Sequence, residues 1–190
     1  VFRDKDSQMT IDITVTRRSL LKAGLGAALW GMTPSLASAF TAKETRSLAF
    51  YNTHTSESLQ AVYWENGHYN EEVLQHVHHI LRDFRTDEVK PIDKKLLDML
   101  AAIHHKMETS QPFEIISGYR SPHTNQMLHE HTQGVATASQ HLLGKAIDVR
   151  LPGRQLVHLR DMAKSMQQGG VGYYATSNFV HIDTGRVRYW

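Results

Sequence analysis

From residue 46 onward, apolar and polar positions fall into short blocks whose period changes along the chain. Residues 46–52 and 59–64 are aromatic and apolar runs, separated by the polar stretch His54-Thr55-Ser56-Glu57-Ser58. This is the pattern of a β-hairpin. Glu65-Asn66-Gly67-His68 follows as a second turn, because Asn-Gly accepts positive φ. The period then lengthens. Val73, Leu74, Val77, Ile80, Leu81 and Phe84 recur at three- and four-residue steps, which predicts an amphipathic helix over 71–84 with Asn70 as its N-cap. A second stripe, Leu96, Leu97, Leu100, Ile103 and Met107, follows Pro91-Ile92-Asp93, with Asp93 as the expected cap. Residues 112–117 read as a strand, 122–131 as a short helix and 149–151 as part of another strand. A helix over 154–166 ends at Gly169-Gly170, and 171–174, 179–183 and 187–190 read as the final strands. This mixed order predicts an α+β fold, helices packed on a mostly antiparallel sheet.

The segment ahead of residue 40 has a different pattern. Residues 1–8 show no periodicity, and Met9 is a plausible true start. Thr16-Arg17-Arg18-Ser19-Leu20-Leu21-Lys22 precedes an apolar run over 23–32 that is diluted by Gly24, Gly26 and Gly31. Pro34 and the small-x-small site Ala37-Ser38-Ala39 come next. Paired arginines, a short apolar run and such a site are the features of a twin-arginine signal peptide. The run is shorter than the roughly 20 residues that a membrane span needs. The expected division is therefore 1–39 as extension and signal, and 40–190 as the mature domain. That domain would be carried to the periplasm by the twin-arginine machinery and keep no stable membrane anchor.

Composition narrows the chemistry. Among 190 residues, 41% are hydrophobic and 21% charged, with a net charge of +2. These are values for an ordinary globular protein, with no electrostatic case for nucleic acid. The histidines stand out: 13 of them, with no cysteine. Thiolate metal sites, disulfides and cysteine nucleophiles are excluded. A transition metal here needs imidazole and carboxylate ligands, a donor set that suits zinc.

Candidates for such ligands lie in Ser139-Gln140-His141-Leu142-Leu143-Gly144-Lys145-Ala146-Ile147-Asp148 and in Phe179-Val180-His181-Ile182-Asp183. A turn at Gly144 can fold His141 and Asp148 back onto one point. In a strand, His181 and Asp183 share a face. Two imidazoles and one carboxylate leave a fourth zinc position open, which is the catalytic pattern. His76 and His79 have a spacing that a metal accepts, but with His78, His104, His105, His129 and His131 they read as polar-face or rim positions. Gly118-Tyr119-Arg120-Ser121-Pro122-His123, directly after a strand, is a usual place for functional groups.

Three motifs in this order, Gly118-Tyr119-Arg120-Ser121, Ser139-Gln140-His141 through Asp148, and Phe179-Val180-His181-Ile182-Asp183-Thr184-Gly185, resemble the zinc D-Ala-D-Ala peptidase and hedgehog-like superfamily. Residues 46–190 resemble in particular its YcbK-type murein endopeptidases. The resemblance implies that fold and a one-zinc metallopeptidase acting on peptidoglycan peptide cross-links. It implies zinc ligands at His141, Asp148 and His181, and a substrate- or transition-state-binding arginine at Arg120. A guanidinium is chemically suited to that place, since it meets both a developing oxyanion and a peptide carboxylate. Tyr119 and Ser139 are expected on the substrate side, although a tyrosine at a strand end suits packing equally and the Ser139 hydroxyl suits a local backbone bond.

One position departs from the superfamily. Several relatives have an acidic general base three residues before the last zinc histidine, and here that residue is Asn178. Asp183 is the first substitute and His123 the second; the third option is chemistry without a dedicated protein base. The leading expectation is a periplasmic zinc endopeptidase. A D,D- or L,D-carboxypeptidase and a non-catalytic zinc-containing cell-wall-binding domain are the alternatives.

Overall fold

The computed structural model describes residues 44–131 and 136–190. The expected signal segment lies outside the described residues. Among these residues no helix is long and apolar enough to cross a membrane.

The chain begins with the predicted hairpin, β1 (Thr45–Asn52) against β2 (Ser58–Glu65), antiparallel. Asn66 and Gly67, with φ of 52° and 86°, then turn the chain into the two-residue β3 (His68–Tyr69). Helix α1 (Glu71–Ile80) is capped by the Asn70 side chain, which accepts from the Val73 N–H at 3.2 Å. Helix α2 (Lys94–Lys106) is capped by Asp93, which accepts from the Lys95 N–H at 3.0 Å. The strands β4 (Phe113–Ser117) and β5 (Ala146–Arg150) flank α3 (Pro122–His131) and a single 3-10 turn (Gln140–Leu143). Helix α4 (Leu156–Met166) leads to β6 (Gly170–Tyr174), β7 (Phe179–Asp183) and β8 (Arg188–Tyr189).

All eight strands join one sheet in the order β3-β2-β1-β4-β5-β7-β6-β8. Only β1–β4 and β6–β8 pair in parallel, so the sheet is mostly antiparallel, as expected. Helices α1, α2 and α4 pack on it. Ile147 pairs with Ile182 and Val149 with Val180, all fully buried, and this row forms part of the apolar core.

The alternate residues of the same strands build the other face. Ser117 pairs with Asp148, Asp148 with His181, and His181 with Gly172. Directly paired residues share a face, so β4, β5, β7 and β6 present these four side-chain positions in one row. The two-residue period thus gives one face to packing and the other to chemistry.

Two helical expectations change. Helix α1 stops at Ile80 rather than reaching Phe84. The Ile80 carbonyl accepts from Asn52 Nδ2 at 3.1 Å and the Leu81 carbonyl from the Tyr119 N–H at 2.8 Å. These tertiary partners satisfy the helix end, and the Asp83 carboxylate turns the chain by accepting from the Arg85 N–H. His78 is buried rather than a polar-face residue, and its Nδ1 accepts from the Ile92 N–H at 3.2 Å. His76 and His79 are exposed, as expected.

Gly118 sits where β4 meets the loop. A Cβ added there would lie 2.4 Å from the Leu81 carbonyl oxygen, which is backbone and cannot swing away. Gly118→Ala is expected to lower stability by about 1–3 kcal/mol, the range for overpacking. Chemical denaturation measures this, and an unchanged midpoint would contradict it.

Candidate metal centre

The 3-10 turn brings in the first functional side chain. Ser139 caps it, its Oγ accepting from the His141 N–H at 3.3 Å. Gly144 ends it with φ of 66°, and a Cβ there would meet the Pro91 carbonyl oxygen at 2.4 Å. The reversal at Gly144 lets His141 and Asp148 face one another, which is the geometry expected of that loop. His181 arrives from β7, directly across the ladder from Asp148.

The three side chains are buried and converge. His141 Nε2 lies 3.2 Å from His181 Nδ1 and 3.3 Å from Asp148 Oδ1, and His181 Nδ1 lies 2.8 Å from the same oxygen. Each outer ring nitrogen has an acceptor. His141 Nδ1 meets the Gly118 carbonyl at 2.7 Å, and His181 Nε2 meets Asp183 Oδ2 at 2.9 Å. A carbonyl can only accept, so neutral His141 carries its proton on Nδ1 and turns the Nε2 lone pair inward. The Asp183 carboxylate fixes His181 in the opposite tautomer, with the Nδ1 lone pair inward.

Two lone pairs and a carboxylate oxygen therefore point at one spot, where they repel unless a cation lies between them. A tetrahedral zinc ion with bonds of about 2.0–2.1 Å holds its ligands about 3.3–3.4 Å apart. Two of the observed separations, 3.2 and 3.3 Å, match that spacing, and the third, His181 Nδ1 to Asp148 Oδ1 at 2.8 Å, is shorter. The residues fit a zinc ion in donor type, tautomer and convergence.

The electrostatics follow from burial and these contacts. Burial pushes the His141 imidazole below its ordinary pKa, more than the Asp148 charge pulls it up. Burial pushes Asp148 up, but the charges and hydrogen bonds of His141 and His181 outweigh it and hold the carboxyl far below its usual range. Burial lowers His181, yet hydrogen bonds to Asp148 and Asp183 leave it raised. Burial raises Asp183, and His181, Arg188 and the Gly185 N–H more than offset that, so it stays ionised.

Arg120 donates from Nη2 to Asp148 Oδ2 at 2.8 Å and from Nε to Ser117 Oγ at 3.1 Å. Its charge sits at the edge of the centre, facing a cleft of about 400 Å³. Ser139, His141, Asp148 and His181 line the same cleft.

Three expected residues do not. Tyr119 is 6% exposed and belongs to the apolar core, the packing alternative, and its backbone N–H ties the loop to Leu81. Asp183 is fully buried behind His181, where its oxygens take N–H groups of Gly170 and Gly185 and the Arg188 guanidinium. Asp183 does not line the cleft. His123 is exposed on α3 and does not line the cleft either. Asn178, with φ of 54°, is a turn residue between β6 and β7, a conformation that Asn tolerates well. Among the described residues, Asp148 is the one carboxylate that lines the cleft.

The cleft also holds residues that the sequence did not single out. Trp190 packs on Gly172, where a Cβ would fall 2.7 Å from the indole. Its Nε1 donates to the Tyr174 hydroxyl at 2.8 Å. Nothing in the local pattern marked Trp190, because its place depends on β8 adding beside β6. Tyr174 lines the cleft whereas Tyr173 does not.

The family model described as peptidoglycan L,D-endopeptidase MepK matches residues 40–190. The chain belongs to this family. It is 43% identical over 177 residues to the peptidoglycan L,D-endopeptidase MepK of Escherichia coli strain K12, covering 92% of this chain and 96% of that protein. It is 35% identical over 175 residues to the probable peptidoglycan L,D-endopeptidase MepK of Haemophilus influenzae, covering 92% of this chain and 94% of that one. Peptidase chemistry suits what is assembled here: a buried three-donor cluster, a guanidinium beside it, and a cleft lined by both.

Proposed function

We propose that this protein is an exported, zinc-dependent endopeptidase that hydrolyses L,D peptide cross-links of peptidoglycan, with His141, Asp148 and His181 holding one zinc ion. The observation that carries it is the paired tautomer control at the centre, Gly118 on His141 and Asp183 on His181, which turns both lone pairs toward Asp148. The names of the relatives supply the substrate class and the bond type. Residues 1–39 serve as the twin-arginine signal, which would place the mature domain in the periplasm with the cell wall.

Bound zinc supplies Lewis acidity, polarising the scissile carbonyl and making water more nucleophilic. The protein does the rest by position. The Gly118 carbonyl and the Asp183 carboxylate engage the outer nitrogens of His141 and His181 and orient both rings toward Asp148. Arg120 brings a fixed positive charge to the side of the centre where the carbonyl oxygen becomes negative, and needs no reorganisation to do so. Ser117 holds Nε and Asp148 holds Nη2, so the guanidinium is already aimed. Ser139 shapes the mouth of the cleft through its bond to the His141 backbone. Asp183 acts as a positioning residue, which leaves catalysis without a dedicated carboxylate base.

Purified mature protein with zinc is expected to convert L,D-cross-linked muropeptide dimers to monomers. Release of a terminal amino acid from uncross-linked stems, with dimers untouched, would instead mark a carboxypeptidase. Unchanged substrate at high enzyme concentration would overturn the catalytic reading.

The positioning role has its own test. Asp183→Asn keeps the shape but weakens the hold on the His181 tautomer. It is expected to lower zinc affinity by about 10–100-fold, read by chelator competition. Unchanged affinity would contradict the role.

A further inference from the structure

The cleft is lined by two chemically different sets of groups. One carries rings: Tyr174 stacks on Phe179 at 4.6 Å between centroids and accepts a hydrogen bond from Trp190. The other is cationic, Arg85, Arg120 and Arg188, and His54 lines the cleft as well; Arg188 is engaged by Asp183. Arg120 is engaged by Asp148. Arg85 forms no ion pair among the described residues. Its guanidinium lies over the Phe84 ring at 4.2 Å, and that ring stacks on His54 at 3.9 Å with 10° between planes. A guanidinium lying on a ring keeps its N–H edge available for a partner in the plane.

The placement of Arg85 is built into the backbone. Asp83, 1% exposed, accepts from the Arg85 N–H at 3.0 Å through Oδ1 and from the Ser121 N–H at 2.8 Å through Oδ2. Ser121 is the neighbour of Arg120. One buried carboxylate therefore ties together two of the three segments that carry guanidiniums into the cleft. Burial disfavours the charged form of Arg85, the Asp83 carboxylate favours it and the Arg120 charge disfavours it, leaving the guanidinium below its ordinary pKa. Three guanidiniums line one cleft, and that of Arg85 makes no salt bridge among the described residues, so it is arranged for an anion that comes from outside.

We propose that Arg85 is a specificity-determining residue that binds a free carboxylate of the peptide substrate. A guanidinium fork takes a carboxylate through two parallel N–H···O bonds. Peptidoglycan stems carry several free carboxylates, and the rings that line the same cleft give the apolar part of the peptide a place to lie. This inference rests on the endopeptidase reading and adds to it a preference for substrates whose carboxylates are free over those in which they are amidated.

The test is a binding measurement made without turnover. His141→Ala protein is titrated by calorimetry with a synthetic cross-linked peptide and with versions in which each carboxylate is amidated in turn. One amidation is expected to weaken binding about tenfold or more, the scale of a charge-assisted bond. Adding Arg85→Ala is expected to weaken the free acid by the same factor and to remove the effect of that amidation. Arg85→Lys, which keeps the charge and loses the fork, is expected to fall between. If Arg85→Ala weakens every peptide equally, or leaves the amidation effect intact, the proposal is overturned. Protein with His141 present separates the two readings. Discrimination through Arg85 with no hydrolysis of either peptide would overturn the endopeptidase and leave this inference standing. Hydrolysis that ignores Arg85 would do the reverse.

Discussion

His141→Ala is expected to abolish cross-link hydrolysis and to leave the protein without stoichiometric zinc. Two losses combine. The substitution removes one of three converging donors, and it leaves the buried Gly118 carbonyl without the ring N–H it accepts at 2.7 Å. Lewis-acid stabilisation of the transition state is worth several kcal/mol, which at about 1.4 kcal/mol per decade is roughly 10³-fold or more in rate. Muropeptide digestion and metal analysis of the same preparation measure both effects. Activity within tenfold of the parent, or full zinc content, would contradict the ligand assignment. His129→Ala serves as the comparison, since His129 is exposed and does not line the cleft.

Arg120→Ala is expected to reduce kcat by about 10²–10³-fold, the scale for removing one preorganised donor to a developing oxyanion. Zinc content should persist, because all three donors remain. Asp148 would lose a 2.8 Å partner yet keep His141 and His181 against its charge. Arg120→Lys should recover only part of the rate, since an ammonium cannot hold Ser117 and Asp148 while also facing the cleft. Steady-state kinetics on a cross-linked dimer would separate this from substrate binding. A rise in KM with kcat unchanged would mean that Arg120 binds the ground state only.

Much of the site was legible because its signals are local. Asn70 and Asp93 cap helices where the apolar stripes begin, and Gly144 supplies the left-handed turn between His141 and Asp148. The alternation in β7 put His181 and Asp183 on one face. The pieces that were not legible depend on distant partners. In sequence Asp183 could either orient the ligand histidine or serve as a base, and the partners that hold it, Arg188 and the N–H groups of Gly170 and Gly185, reach it only once β6, β7 and β8 have assembled. Tyr119 follows β4 as a loop residue in sequence, yet its N–H is taken by Leu81 and its ring joins the core. Arg85 lay at the end of an apolar stripe that predicted a longer helix. Asp83, which breaks that helix and fixes Arg85, finds Ser121 38 residues away.

The account places one zinc ion at the centre of cross-link hydrolysis, and a zinc titration tests this directly. Metal-free protein is mixed with increasing zinc while an L,D-cross-linked muropeptide dimer is followed to monomer. The account predicts no conversion without metal, and a rate that rises in proportion to zinc and levels off at one equivalent per chain. Full conversion by metal-free protein, or zinc-saturated protein that leaves the dimer intact, would contradict it.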